Sequence, residues 1–279
     1  GATSGLGFVI ALELARNGCE VYLACRDLAK GARAIEAIRA KVPGAALDCV
    51  VLDLADLASV RAAAASFSAR RDALHLLVNN AGVMALPKSA TADGFERQMG
   101  TNHLGHFALT GLLLERLVRA GGARVVVQSS LMHEFGRMRF DDLHGERRGY
   151  RRWGAYCDSK LANLLFAFEL GRRLEERRAD VVVAASHPGY AATELQAAGA
   201  RIEGSRWKAA VMALGNRLFA QSAEDGALPA LRAATAKDVA NGDFFGPGGL
   251  LELRGSPKKV TPSARARSLE DAARLWRLS

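Results

Sequence analysis

The sequence predicts an α/β protein: one doubly wound parallel sheet with helices on both faces. Three observations point to it. Apolar strand-like runs alternate with helix-patterned segments along the chain; those runs are nearly continuous, as strands buried on both faces require; and a glycine-rich turn leads into a helix at the start. The strands read as EVYLACR (20–26), ALDCVVLD (46–53), LHLLVNN (74–80), RVVVQSS (124–130), DVVVAASHP (180–188) and a short GDFFG (242–246). Helices fill the intervals at 5–17, 30–41, 57–70, 94–119, 155–178 and 222–235, which makes the repeating unit strand, helix, parallel strand. No Pro/Ser-rich linker and no repeat period interrupts it, so residues 1–279 are expected to form a single dinucleotide-binding catalytic domain.

Two stretches stand outside the alternation. Residues 134–154 are polar and arginine-rich, and residues 194–221 are amphipathic. Both follow the carboxyl end of a strand, where open parallel sheets bind ligands, so they are expected to form the rim and the lid of a pocket.

The composition narrows the function classes. With 279 residues, 49% hydrophobic and 24% charged, the chain can bury an ample core. No apolar run approaches the length of about eighteen residues that a membrane span needs, which speaks only for the residues shown. The net charge of +9 raises the question of nucleic acid. However, Arg137, Arg139, Arg147, Arg148, Arg151 and Arg152 are interleaved with Glu134, Asp141, Asp142 and Glu146, the pattern of a solvated surface, and no aromatic-rich basic stripe accompanies them. No nucleic-acid partner is expected. Cys19, Cys25, Cys49 and Cys157 show no zinc spacing in a chain too large to need disulfides, which favours a reducing compartment and a cytoplasmic location.

The chemistry-bearing motifs come in order along the chain. In GATSGLG, Gly1, Gly5 and Gly7, with Ser4 and Leu6 between them, would let backbone N–H groups approach a pyrophosphate at a helix N-terminus. About twenty residues on, at the end of the next strand, stand Arg26 and Asp27. An acid there accepts from a ribose 2′-hydroxyl, whereas an arginine pairs with a 2′-phosphate. Arg26 comes first after the strand, which favours NADP(H); the bland alternative is a surface helix cap. Further along, Tyr156 and Lys160 are four apart and share a helix face. A neighbouring ammonium favours phenolate, so Tyr156 is expected to titrate below its reference near 10 and to serve as a general acid/base. The alternative is an ordinary half-buried helix face.

Taken in order, GATSGLG, NNAG (79–82), TNHLGHF (101–107), Ser129–Ser130, YCDSK (156–160) and HPGYAAT (187–193) resemble the short-chain dehydrogenase/reductase family, with its Rossmann-type fold. ACRD, TNHLGHF and YCDSKLANLLF resemble in particular its retinol dehydrogenase and protochlorophyllide reductase branch. The resemblance implies an NADP(H)-dependent enzyme acting on CH–OH groups, with Tyr156 as acid/base and Lys160 holding the nicotinamide ribose. It implies that Ser130 binds the substrate oxygen and that Asn102 holds a water relaying protons from the lysine. Asp53 and Leu54 would flank the adenine, Asn80, Ala81 and Gly82 the adenosine side, and Pro188, Gly189, Ala191 and Thr193 the nicotinamide end. Ser130 is preferred over Ser129 because the second serine of such a pair usually carries the role. Ser130 and Tyr156 lie 26 positions apart, more than the family's commonest spacing, so 134–154 reads as an insertion like that of the retinol dehydrogenase branch.

The remaining residues carry blander expectations. His103 and His106 are expected to pack a helix rather than bind metal, and Cys157 to pack against a neighbour. His133 and His187 lie near the pocket, where either could touch substrate. Trp207, Met212 and Phe219, in the lid, could contact an apolar substrate or be buried in a helix. The expected reaction interconverts an alcohol and a carbonyl on a small lipophilic substrate, possible homodimer formation aside. The alternative is a non-catalytic NADP(H)-binding regulatory or scaffold protein of the same fold. The family's first strand would precede Gly1, so the sequence is expected to be truncated.

Overall fold

The computed structural model describes residues 1–190 and 221–279. Helix α1 (Gly5–Arg16) is followed by β1 (Val21–Cys25), α2 (Leu28–Arg39), β2 (Leu47–Val51), α3 (Leu57–Ser68) and β3 (Leu76–Asn79). A short helix (Arg97–Met99) and a π-helical turn (Gly100–Leu104) then run into α4 (Gly105–Ala120), β4 (Ala123–Gln128), α5 (Arg152–Glu176) and β5 (Val181–Ser186). After the undescribed residues come α6 (Ala223–Thr235), β6 (Phe244–Pro247), β7 (Pro257–Lys259) and α7 (Leu269–Leu278).

The parallel sheet is in two sections. Strands β2 and β1 pair in parallel, as do β3, β4, β5 and β6 in that order, and β7 adds an antiparallel edge to β6. Among the described residues no pairing joins β1 to β3, and a cleft runs between their facing edges.

Alternation along β4 and β5 explains the layering, because successive side chains leave a strand on opposite faces. Val125, Val127, Val183 and Ala185 meet Leu161, Leu164 and Leu165 of α5 on one side. Val126 and Ala184 meet Val9, Ile10, Ala227 and Ala230 of α1 and α6 on the other. Both faces are therefore apolar, which is why these strands read as unbroken valine and alanine runs. Local caps set the helix starts: Asp27 accepts from Lys30 N at 3.1 Å, Asp56 from Ala58 N at 2.8 Å and Ser222 from Asp225 N at 3.0 Å.

Three expectations change, and a fourth falls outside the described residues. The helix expected at 94–119 begins at Arg97, where the Glu96 carboxylate accepts from Gln98 N and Met99 N, and it contains the π-helical turn. The helix expected from 155 begins at Arg152, so the last residues of the 134–154 insertion are helical. Strand β7 and helix α7 lie beyond the last element read from sequence. Strand β7 is too short to show a period, and α7 is held by contacts remote in sequence: Arg173 of α5 lies 4.6 Å from the Trp276 ring, and Ala272 and Leu275 are buried. Of the expected lid, 194–221, residues 194–220, with Trp207, Met212 and Phe219, lie outside the described residues; Gln221 is described and donates to Pro188 O.

Leu165 of α5 is wholly buried between the helix and β4/β5. Replacing it with alanine should cost about 2–5 kcal/mol, read as a lower urea midpoint at an unchanged slope.

Candidate active site

Helix α5 docks its polar stripe on the carboxyl end of β4. Asn163 Nδ2 and Lys160 Nζ both donate to Gln128 O, at 3.0 and 3.4 Å, and the Ser129 hydroxyl donates to Lys160 O at 2.8 Å. Positions 156, 160 and 163 recur at helical spacing, so one face carries the phenol, the ammonium and the amide together. Ser129 is buried and its hydroxyl is used. Ser130, next along the chain, is partly exposed, accepts from Met132 N at 3.2 Å and interacts with the Tyr156 hydroxyl. Just past the strand end, one serine hydroxyl is thus spent on the backbone of α5 and the other stays beside Tyr156.

The electrostatics correct one expectation. Tyr156 does not titrate below its reference; burial pushes its pKa up to about 12, with the Ser130 hydrogen bond opposing the rise. Lys160, equally buried, falls to about 8 through loss of solvation, and its Nζ lies 5.8 Å from the centre of the tyrosine ring. Desolvation of the phenolate sets the direction, and Lys160 is not among the groups that oppose it. Tyr156 is therefore a protonated phenol at neutral pH, the form that donates a proton.

The π-helical turn places Asn102, whose Oδ1 accepts from Val83 N at 2.7 Å while Nδ2 donates to Val83 O and Ser159 Oγ, each at 2.9 Å. This ties the Ala81–Gly82–Val83 segment to α5. A Cβ on Gly82 would stand 3.2 Å from Asn102 Oδ1 and 3.4 Å from Lys160 Nζ, so the backbone there runs directly over the lysine.

The cleft, about 1920 Å³, extends from these residues to α2 and down the gap between β1 and β3, where Val21, Tyr22, Leu74, Leu76 and Leu77 also line it. Its lining includes Gly1, Ser4, Gly5, Leu6, Gly7, Arg26, Asp53, Leu54, Asn80, Ala81, Gly82, Pro188 and Gly189, so the described residues expected to bind cofactor lie on one surface. Ala191 and Thr193 lie outside the described residues. The residues fit a dinucleotide on three counts. A Cβ on Gly7 would fall 2.0 Å from Gly1 O and 2.7 Å from Asn80 Nδ2, so only glycine leaves the loop its shape. Ser4 makes no side-chain cap on α1, which leaves the helix N-terminus open to an anion. Asn80 Oδ1 is buried without a hydrogen-bond partner among the described residues, a polar atom awaiting a ligand. Asp53 Oδ1 accepts from Ala55 N at 2.9 Å, which shapes the wall beside Leu54.

At the far end both Arg26 and Asp27 line the cleft, and Asp27 Oδ1 is engaged as the cap of α2. Lys30 and Arg33 line it too and were missed in the sequence. The signal was present: positions 26, 30 and 33 recur at helical spacing, but only Arg26 adjoins a motif. Trp153 and Met132 were missed as well. Trp153 packs edge-on to Tyr156 at 6.2 Å, and with Met132, Phe135, Pro87 and Tyr150 it lines an adjoining cavity of about 760 Å³. The 134–154 insertion thus contributes to the rim. Cys157 also borders that cavity, and burial pushes its thiol up to about 11, so it is not a nucleophile.

The histidines are packed. His103 Nε2 lies 2.9 Å from Ser279 Oγ, with its ring against Phe107 and Phe166, and His106 Nδ1 lies 2.9 Å from Asn102 O. Burial lowers their pKa values to about 3 and 4. His133 and His187 are buried too and do not line the cleft, contrary to a role in touching substrate. Among the described residues no group of His, Cys, Asp and Glu side chains forms a metal site, and no helix is long and apolar enough to cross a membrane.

The comparisons with known proteins agree with this geometry. The family model described as short chain dehydrogenase matches residues 1–202. Retinol dehydrogenase 12 of Mus musculus is 43% identical over 284 residues, covering 100% of this chain and 83% of the relative. An uncharacterized protein of Mycobacterium paratuberculosis, solved by crystallography, superposes with a TM-score of 0.79 at 41% identity, covering 100% of this chain and 89% of the other. A putative NAD(P)-dependent gluconate 5-dehydrogenase from Beutenbergia cavernae, solved with bound NADP, superposes with a TM-score of 0.64 at 26% identity, covering 84% of this chain and 87% of the other.

Gly7→Ala should weaken dinucleotide binding at least about tenfold, since the methyl must displace backbone rather than a flexible side chain. Titration of reduced-nicotinamide fluorescence measures it.

Proposed function

Starting from a chain that belongs to the short-chain dehydrogenase family and is an oxidoreductase acting on an alcohol or carbonyl, we propose that its cofactor is NADP(H) and its substrate a lipophilic aldehyde, ketone or alcohol. The observation that carries the reading is the cleft itself. One end holds Ser130, Tyr156 and Lys160, and the other holds Arg26, Lys30 and Arg33.

When bound, the nicotinamide supplies or accepts the hydride at the substrate carbon. In reduction Ser130 Oγ orients the substrate oxygen and Tyr156 donates its proton to that oxygen as negative charge develops. Lys160, while charged, stabilises the phenolate left behind. Asn102 holds Val83, and with it the segment over Lys160; a water relay at Asn102 completes the proposed path for the returning proton. In oxidation the proton moves the other way, from the alcohol to Tyr156.

Preference for the 2′-phosphate rests on three cations at the α2 end, with the nearby carboxylate of Asp27 occupied by Lys30 N. The NADP in the Beutenbergia cavernae relative is consistent with it. The lipophilic substrate rests on Met84, Leu86, Leu131, Met132 and Trp153 around the tyrosine end. The name of the mouse relative, a retinol dehydrogenase, points the same way.

Carbonyl reduction followed by NADPH absorbance should fall about 10²-fold or more in Tyr156→Phe, and by a similar order in Ser130→Ala, with cofactor binding retained. Cofactor binding without turnover of any lipophilic carbonyl would favour the non-catalytic alternative. Arg26→Ala should weaken NADPH about tenfold while leaving NADH nearly unchanged. The reduction rate should fall as pH rises through about 8, where Lys160 loses its charge. Lys160→Arg, which keeps a charge at all accessible pH values, should lose that alkaline limb even at a lower rate.

A further inference from the structure

Two buried histidines that the reaction does not use both pack against Phe244. Their ring centroids lie 5.5 Å (His133) and 5.1 Å (His187) from the phenyl ring. Each has one nitrogen facing a backbone donor: Ser263 N donates to His133 Nε2, and Gly189 N to His187 Nδ1, both at 3.2 Å. A nitrogen that accepts carries no proton, so each neutral ring must carry it on the other side. His133 Nδ1–H then donates to Ser130 O at 2.8 Å, and His187 Nε2–H to Glu252 Oε2 at 3.0 Å.

The opposite tautomer of His133 would aim Nε2–H toward Glu134 Oε1, 3.5 Å away. It would also set that proton against Ser263 N–H and the bare Nδ1 against the Ser130 carbonyl, losing two hydrogen bonds for one long contact. Burial keeps both rings neutral: His187 falls to about 3, and His133 falls below its ordinary value despite Glu134.

What these rings hold is the reacting site. His133 grips the residue whose hydroxyl meets Tyr156. His187 grips Gly189, which lines the cleft and whose left-handed backbone (φ 64°) leaves no room for a Cβ, 2.4 Å from Leu253 O. Tyr190 N donates to the same Leu253 oxygen at 2.9 Å. On the outer side, Leu251 and Glu252 both adopt left-handed backbone (φ 52° and 56°), unfavourable for non-glycine residues, and this turn presents the Glu252 carboxylate to His187. Gly246 leaves space for the ring, since a Cβ there would stand 2.0 Å from His187 Nε2.

We propose that His133 and His187 are positioning residues that brace the two halves of the site separately: His133 sets Ser130, and His187 with Glu252 sets the Pro188–Gly189 turn at the nicotinamide end. The inference rests on the reductase reading for the meaning of the two halves. Its geometry is independent of that reading.

The test compares His133→Leu, His133→Asn, His187→Leu, Glu252→Ala and Glu252→Gln in the full chain, with melting temperature measured for each. His133→Leu should lower kcat about tenfold with the NADPH dissociation constant within about twofold of wild type, and His133→Asn, which keeps a donor for Ser130 O, should recover most of the loss. His187→Leu should weaken NADPH about tenfold and Glu252→Ala about fivefold, with smaller changes in kcat, while Glu252→Gln, which keeps an acceptor, stays near wild type. Nitrogen-15 NMR of the imidazoles between pH 6 and 8 should show Nδ1–H on His133 and Nε2–H on His187. The opposite tautomers overturn the proposal. So do kcat and NADPH affinity falling in equal proportion with melting temperature, or neither changing. Should the wild type turn over no carbonyl, the reductase reading fails on its own, and the NADPH series and the tautomers still decide the brace.

Discussion

A buried lysine governs this molecule. Lys160 sits at the centre of the α5–β4 contact, where an isolated ammonium would cost several kcal/mol to desolvate. The Gln128 carbonyl offsets part of that cost, and the remainder shows as a pKa drawn down to about 8. Around it the polar groups form a connected set. Gln128 O also receives Asn163, Gln128 Oε1 receives the Ser186 hydroxyl at 2.6 Å, and Ser129 closes onto the lysine carbonyl. The register between α5 and the sheet is thereby set to within one hydrogen bond, and the positions of Tyr156 and Ser130 follow from it. An apolar contact of the same area would allow the helix to slide.

The arginine-rich insertion serves the same geometry from outside. Asp142 accepts from the backbone N–H groups of Glu146, Arg147 and Arg148, and Arg148 pairs with Asp158 at 3.0 Å. Tyr150 joins the insertion to the inner wall: it receives Gln98 Nε2 at 2.9 Å and donates to Glu96 Oε1 or Leu86 O. Gln98 Oε1 in turn accepts from Ala85 N at 2.7 Å. Charge that looks like surface decoration in the sequence is partly spent on ordering a loop beside the substrate end.

Much of the fold could be read from periodicity, because β4 and β5 are buried on both faces and can be built only from unbroken apolar runs. The glycine loop and the Tyr156/Lys160 pair were legible for a related reason, since close backbone approach and a shared helix face leave marks at fixed spacing. Where the reading failed, the cause was long range. Helix α7 depends on Arg173 and the α5 surface, and Lys30 and Arg33 acquire meaning only when α2 lies against the cleft. The histidines appeared near the pocket in sequence, yet one partner of each ring, Ser263 for His133 and Glu252 for His187, is remote along the chain.

By itself the sequence determined most of the strand and helix order, the glycine-rich turn and the residue types able to carry an acid/base reaction. Each of these is a local property, set by spacing along the chain. Only the tertiary structure decided the ionisation of those residues and the division of labour among neighbours of the same type. Tyr156 is held protonated rather than ionised because burial disfavours the phenolate more than the Ser130 hydroxyl favours it. Ser129 and Ser130 part company because the buried Ser129 hydroxyl is spent on the Lys160 carbonyl, whereas the partly exposed Ser130 hydroxyl accepts from Met132 N and meets Tyr156. Solvation and facing depend on what is packed above a residue, and that is information the linear order does not contain.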